Sequence, residues 1–307
     1  MSNHWDPLDT LHLGYDRVLA IYLVETADGL ALVDSGPATT LPAVEAALAA
    51  RGVALGDVRH LLLTHIHLDH AGAAGTIVRR HPQIQVHVSE IGAPHVIDPS
   101  RLERSARQIY LDEFDTLWGE LVPVPEGNVH LLGDRVLGLE CFPAPGHAKH
   151  HVALLGPDGT LYSGDATGIR IQPARHIVPG SPPPDIDIEG WHRTVDEVER
   201  RSPDRLAISH FGVKTDVADH LRRLRERIDL FTERVGAGMP VEEFIVHDRA
   251  ELRAGGSDDA DLYERAGSLT ATHAGLTRYW VKRREREAAE AAAPGTTAAA
   301  TPAAGSA

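Results

Sequence analysis

The chain has 307 residues, which at about 150 residues per domain predicts two domains, or one large domain with insertions. Its 42% apolar and 24% charged residues match ordinary globular usage and exclude wholesale disorder, and no apolar run reaches the length of a membrane-spanning helix. A formal charge of −14 repels phosphate backbones and disfavours a general nucleic-acid binder.

Residues Met1 to Asp9 carry neither a basic start nor an apolar run, so no secretory signal is visible and a cytoplasmic address is expected. Two apolar runs, Val18 to Val24 and Leu30 to Val33, flank Ala27-Asp28-Gly29 and predict a β-hairpin. Asp34-Ser35-Gly36 closes it, and Thr40 reads as the N-cap of a helix that has Pro42 near its start, Leu41, Val44 and Leu48 as its buried stripe, and Gly52 beyond its end. Val58 to Leu63 suits a strand covered on both faces. A histidine cluster follows, then a helix ending before Pro82 and a strand over Ile84 to Val88.

Leu102, Ala106, Tyr110, Phe114 and Leu117 fall at helical intervals, predicting helical structure inserted between strands where it covers a site. Strands are then expected at Val129–Leu132, Val136–Phe142, Val152–Leu155 and Leu161–Ser163, with turns at Gly133-Asp134 and Pro157-Asp158-Gly159. A proline-stiffened connection over Pro173 to Pro184 leads to a helix marked by Ile188, Trp191, Val195 and Val198, which stops at Ser202-Pro203. Leu206 to Ser209 is a strand delivering His210. Val217, Leu221, Leu224, Ile228, Phe231 and Val235 form a strong amphipathic stripe, with Arg222, Arg223, Arg225 and Arg227 as its solvated face. The remainder is helical up to Glu287, and Ala288 to Ala307 reads as a disordered Ala/Thr/Pro tail. The expected division is 1–213 for a catalytic domain, 214–287 for a C-terminal helical region and 288–307 for the tail.

The single cysteine, Cys141, makes no internal disulfide and reads as a small core residue. Histidine is the unusual component: 19 of them exceed the 4 Trp, 6 Tyr and 5 Phe together. Thr64-His65-Ile66-His67-Leu68-Asp69-His70 is the densest cluster. His65 and His67 are two apart at a strand end, so side-chain alternation aims both imidazoles the same way, at one metal ion. Asp69 and His70, at the turn into a helix, face a second. His147, Asp165 and His210 stand at three further predicted strand ends, and an all-imidazole and carboxylate set suits zinc, manganese or iron. The Gly-x-Ser-x-Gly elbow of a serine hydrolase is absent.

In these residues the chain resembles the metallo-β-lactamase-fold hydrolase superfamily from about Val18 to Gly212. The resemblance implies an α/β fold, a four-layer αββα sandwich, with the inserted helical segment and C-terminal helices added to it. It further implies two divalent ions, zinc foremost, along one edge of the sheets. His65, His67 and His147 would hold the first ion and Asp69, His70 and His210 the second, with Asp165 bridging. Asp34 matches a buried acid that orients a ligand, and His151 matches a histidine behind the site, while His150 is expected to point the other way along its strand. The implied activity is hydrolysis of a small ester, thioester or lactone by a metal-bridging hydroxide, with Asp69 orienting it and handling its proton.

Gly168-Ile169-Arg170 departs from the signature of hydroxyacylglutathione hydrolases, and Gly168 stands where acyl-homoserine lactonases carry tyrosine. Three other readings use the same ligands: a mononuclear iron sulfur-oxygenase of the persulfide dioxygenase type, a phosphodiesterase or ribonuclease, and a metal-stabilised binding protein without activity. A small-molecule substrate is expected, with no nucleic acid and no membrane; a homo-oligomer is compatible with all of them. Arg101, Arg104 and Arg107 of the inserted segment are candidates to meet an anionic substrate group.

Overall fold

The computed structural model describes residues 6–292. The first sheet contains β1 (Leu8–Asp9), β2 (Ala20–Thr26), β3 (Gly29–Val33), β4 (Val58–Leu62), β5 (Gln85–Val88) and β6 (Val129–Leu131), in that spatial order. The second contains β7 (Arg135–Val136), β8 (Leu139–Pro143), β9 (Val152–Leu155), β10 (Thr160–Gly164), β11 (Arg205–Ile208) and β12 (Gly212–Lys214), in reverse order across the sheet. Strands β3 to β6 run parallel, as do β10 and β11; the remaining pairs are antiparallel.

Helices α1 (Leu41–Ala49), α2 (Leu68–Ala71) and α3 (Ala74–Arg80) follow β3 and β4. The insertion between β5 and β6 is α4 (Ala93–Ile97), α5 (Ser100–Tyr110) and α6 (Phe114–Leu117). Helix α7 (Ile188–Arg201) precedes β11, and α8 (Val217–Gly236), α9 (Val241–Ala254), α10 (Ala260–Ala266) and α11 (Leu269–Ala292) complete the described elements.

Alternation along the strands divides the apolar residues into three layers of contact. Leu32, Leu61, Val86 and Val88 pack under α1 and α3. Tyr22, Ala31, Val33 and Leu62 meet Leu139, Cys141, Leu154 and Tyr162 between the sheets. Phe142, Leu161, Leu206 and Ile208 pack under α7, α8, α9 and α11 through Trp191, Leu224, Phe231, Phe244 and Leu276. This is the four-layer αββα sandwich that the resemblance implied. Leu61 and Leu62 face opposite layers, which is why β4 reads as a continuous apolar run. Burial pushes the Cys141 thiol up to about 12, leaving it an inert core residue.

Several local expectations need correction. Thr40 does stand at the N-cap position of α1, but its hydroxyl makes no capping bond to the helix and donates instead to the Pro37 carbonyl at 2.9 Å. The strand expected over Val136–Phe142 is broken at Leu137 and Gly138, whose positive φ values of 50° and 94° turn the chain from β7 into β8. Arg227 is no part of a solvated face. It is mostly buried, pairs with Asp248 and Glu251 of α9, and donates to the Ile177 carbonyl at 3.0 Å. Helix α11 continues to Ala292, so residues 288–292 are helical; residues 1–5 and 293–307 lie outside the described residues. Among the described residues no helix is long and apolar enough to cross a membrane.

A pH dependence follows from His220 of α8, fully buried with Nε2 bonded to the Thr167 carbonyl at 2.8 Å. Burial pushes it down to about 4. The unfolded chain therefore takes up a proton below about pH 6.5 that the folded chain refuses until about pH 4, so stability falls through that window as pH drops. Urea unfolding at pH 7 and pH 5 is expected to differ by about 2 kcal/mol from this group. His220→Gln, which keeps a donor for Thr167, is expected to remove that share of the difference.

Candidate metal centre

All the expected ligands converge beyond the C-terminal ends of β3, β4, β8, β10 and β11, the edge where open α/β sheets place their sites. After β4 the extended backbone of His67 carries the chain into α2. This places His65 and His67 on one side and leaves Asp69 and His70 in the first turn. His65 Nε2 lies 3.0 Å from His67 Nδ1, and His147 Nε2 lies 2.8 Å from the same atom. A second group, Asp69, His70, Asp165 and His210, presents ligand atoms that all lie within 4.8 Å of one another. Asp165 faces both groups, with Oδ2 3.4 Å from His147 Nε2 and Oδ1 3.3 and 3.4 Å from the Nε2 atoms of His70 and His210.

The outer nitrogens fix which ring atoms carry protons. His147 Nδ1 donates to the Gly180 carbonyl at 2.7 Å, His210 Nδ1 to the Val18 carbonyl at 2.7 Å and His70 Nδ1 to Asp34 Oδ2 at 2.8 Å. The Thr64 hydroxyl donates to Asp34 and accepts from His65 Nδ1 at 3.0 Å. In the neutral form of each ring the inward Nε2 is the lone-pair nitrogen. His70 Nε2, His210 Nε2 and Asp165 Oδ1 are buried without a hydrogen-bond partner among the described residues, and three imidazole nitrogens crowd one point around His67 Nδ1. Converging lone pairs without donors are costly in a buried site, and two cations of the zinc class satisfy them. The residues therefore fit a dinuclear centre.

Electrostatics agree. Burial holds His65, His67 and His147 below the ordinary histidine range, in the neutral state that binds metal. Burial acts the same way on His70, but the charges of Asp69, Asp165 and Asp34 outweigh it and raise that histidine; His210 is raised similarly by Asp165 and Asp69. Burial opposes ionisation of Asp69 and Asp165, yet the facing His70 and His210 hold both carboxylates below their usual range.

Behind the ligands, Asp34 sits in left-handed backbone at φ 64° and is buried. Its Oδ1 accepts from the Thr64 N–H at 2.8 Å while Oδ2 holds His70, so one carboxylate orients ligands of both groups. His151 Nε2 accepts from the Asp165 N–H at 3.1 Å. Gly164 makes this approach feasible, since a Cβ there would lie 2.7 Å from that nitrogen. His150 does not point away as expected: it is buried, with its ring 5.4 Å from that of His67 and Nδ1 accepting from the Ile66 N–H at 3.4 Å.

The support extends to the C-terminal helices. Ser181, next to the Gly180 that holds His147, donates its N–H to Thr272 Oγ1 of α11 at 3.2 Å. Gly275 lets that helix close on the loop, because a Cβ there would sit 1.8 Å from the Ser181 carbonyl oxygen. Gly146, with φ 139°, admits Trp191 beside His147 in the same manner.

Arg107 is not free to meet a substrate anion. It pairs with Glu103 and Asp115 and stacks 4.0 Å over Phe114. Sequence reasoning missed His12 and Trp118, which stack at 5.7 Å near the centre; single aromatic rings more than a hundred positions apart leave no periodic signal.

The family model for the metallo-beta-lactamase superfamily matches residues 15–210. Among curated proteins the chain is 29% identical over 154 residues to the uncharacterised protein YobT of Bacillus subtilis (strain 168), covering 48% of this chain and 62% of that protein. It is 35% identical over 136 residues to a hydroxyacylglutathione hydrolase of Alkalilimnicola ehrlichii, covering 44% of this chain and 41% of that enzyme. The chain thus spans about half the length of the curated relatives it matches. Among solved structures, the metallo-beta-lactamase family protein TTHA1429 of Thermus thermophilus shares the fold at a TM-score of 0.62 with 23% identity, over 87% of this chain and 89% of that one. With its fold, its two ligand clusters and a family match across most of both sheets, this chain belongs to the metallo-beta-lactamase superfamily.

Proposed function

We propose that this protein is a dinuclear metal-dependent hydrolase, zinc being the favoured metal, that cleaves a small ester, thioester or lactone. The observation that carries the reading is Asp165, whose two oxygens face different ligand groups, the placement required of a carboxylate shared by two ions. When bound, such a pair acidifies a shared water and polarises the substrate carbonyl. His65, His67 and His147 would hold one ion; Asp69, His70 and His210 the other.

The protein's own contribution is order and proton handling. Asp34 and the Gly180 and Val18 carbonyls keep the imidazole protons on the outer nitrogens, so no ligand must shed a proton during turnover. Asp69 has 23% of its side chain accessible, against 10% for Asp165. It is the carboxylate open to an entering substrate, held ionised against its burial by His70 and His210, and so placed to accept a hydrogen bond from the attacking water and pass its proton on to the leaving group. The partial similarity to a hydroxyacylglutathione hydrolase, a thioester-cleaving enzyme by its name, supports carbonyl chemistry.

Elemental analysis of the purified protein, combined with a panel of p-nitrophenyl acetate, a thioester, a γ-lactone and bis-p-nitrophenyl phosphate, tests the proposal. Two divalent ions per chain and turnover confined to the carbonyl substrates are expected. One iron per chain with oxygen uptake, or preference for the phosphodiester, would overturn it.

A further inference from the structure

Two segments far apart in sequence, the loop after β1 and the stretch from the end of α5 to Trp118 just past α6, meet beside the metal centre. Leu68, between the ligands His67 and Asp69, packs against Ala106, Phe114 and Trp118 of the insertion. Trp118 in turn stacks on His12 at 5.7 Å and receives the edge of Tyr110 at 5.1 Å. The charge of Asp69 reaches both His12 and Tyr110, beside the larger effect of their burial.

Large apolar side chains are exposed on both segments. Leu11, Leu13 and Tyr15 flank His12 and are 48%, 38% and 41% exposed; Ile109 and Leu111 flank Tyr110 and are 58% and 70% exposed. They are most of the large apolar side chains left exposed among the described residues. Leu11, Leu13 and Leu111 are held in left-handed backbone at φ 48°, 54° and 47°, a costly conformation for a side chain with a Cβ. The loop is pinned rather than loose. Asp9 accepts the N–H groups of Leu11 and Arg17, and Arg265 of α10 donates to Tyr15 Oη at 3.0 Å while stacking 3.7 Å over its ring. His12 Nδ1 and Trp118 Nε1 are buried without a partner among the described residues. An indole N–H is only a donor, so what it lacks is an acceptor oxygen.

We propose that these two segments form a recognition site for an apolar acyl chain attached to the carbonyl to be cleaved. The rim residues take the chain. This rests on the hydrolase reading and adds the substrate class. A fully buried methylene is worth about fourfold in affinity, and a rim this exposed realises about twofold.

The test compares kcat/KM of the metal-loaded protein on p-nitrophenyl esters from acetyl to octanoyl, in wild type and in Ile109→Ser/Leu111→Ser. Both positions point outward, so the variant is expected to fold. In parallel, calorimetry measures binding of 2-octanone, a carbonyl compound that hydrolysis cannot consume, against acetone. The expected result is a rise of roughly twofold per methylene in wild type, an octanoyl-to-acetyl ratio about tenfold lower in the variant, and 2-octanone binding that weakens in parallel. A flat chain-length series, with 2-octanone bound no better than acetone, overturns the inference while leaving the hydrolase reading intact. Absence of ester turnover with 2-octanone still bound selectively overturns the hydrolase reading instead. A dimer that dissociates in the variant with an unchanged octanoyl-to-acetyl ratio assigns the rim to self-association and also overturns the inference.

Discussion

Asp165→Ala is expected to lower kcat/KM on the best carbonyl substrate by about a thousandfold or more and to reduce metal content from two ions per chain to one or none. A thousandfold corresponds to about 4 kcal/mol of lost transition-state stabilisation. That size follows from position. Oδ2 stands toward the three-histidine group and Oδ1 toward His70 and His210, so one truncation takes a ligand atom from both. The Asp165 main chain stays in place through its N–H bond to His151, so the loss is one of ligation rather than folding. Kinetics with elemental analysis on the same preparation check it. Retention of both ions together with a tenth or more of the activity would remove the basis for a shared carboxylate.

The second large effect concerns Asp34. Asp34→Ala leaves three buried donors, the Thr64 N–H, the Thr64 hydroxyl and His70 Nδ1–H, without their acceptor, and puts alanine where φ is 64°. At about 1 to 3 kcal/mol for each stranded donor, a loss of about 3 kcal/mol or more in stability is expected. Asp34→Asn separates folding from ligation. Asparagine tolerates left-handed backbone, and its carboxamide oxygen still accepts from Thr64. Its NH2, however, then faces His70 Nδ1, which accepts only if the imidazole proton moves to Nε2, the atom turned toward the ligand cluster. The asparagine variant is expected to unfold within about 2 kcal/mol of wild type and to bind metal about a hundredfold more weakly. Denaturation curves and competition with a chelator read the two quantities separately. Equal metal affinity in wild type and Asp34→Asn would show that the acid is merely a turn residue.

What could be read from sequence was whatever recurs with a short period or at a strand end. The 4-3-4-3-4 stripe of α8 is a direct image of one buried helix face, and its residues Leu221, Leu224, Ile228 and Phe231 are indeed buried. The candidate ligands were legible because β4, β10 and β11 are apolar runs that stop at polar residues able to bind metal. Strands β1 and β12, of two and three residues, were not legible, because they exist by pairing with β2 and β11 rather than by any pattern of their own. The inward turn of His150 was missed for a related reason: residues 144–151 between β8 and β9 do not follow strand alternation. Arg227 was misread since helical spacing alone does not reveal that α9 covers that side. The His12 and Trp118 pair required the finished tertiary structure.

The bare Cα of Gly275 carries a consequence for engineering. It lets α11 rest on the peptide neighbouring the one that steers His147, so that helix braces the candidate ligand cluster from outside. A chimera that transplants only the two sheets would leave that brace behind. Conversely, small changes along the inner face of this distant helix offer a dial on ion affinity that leaves every ligand untouched.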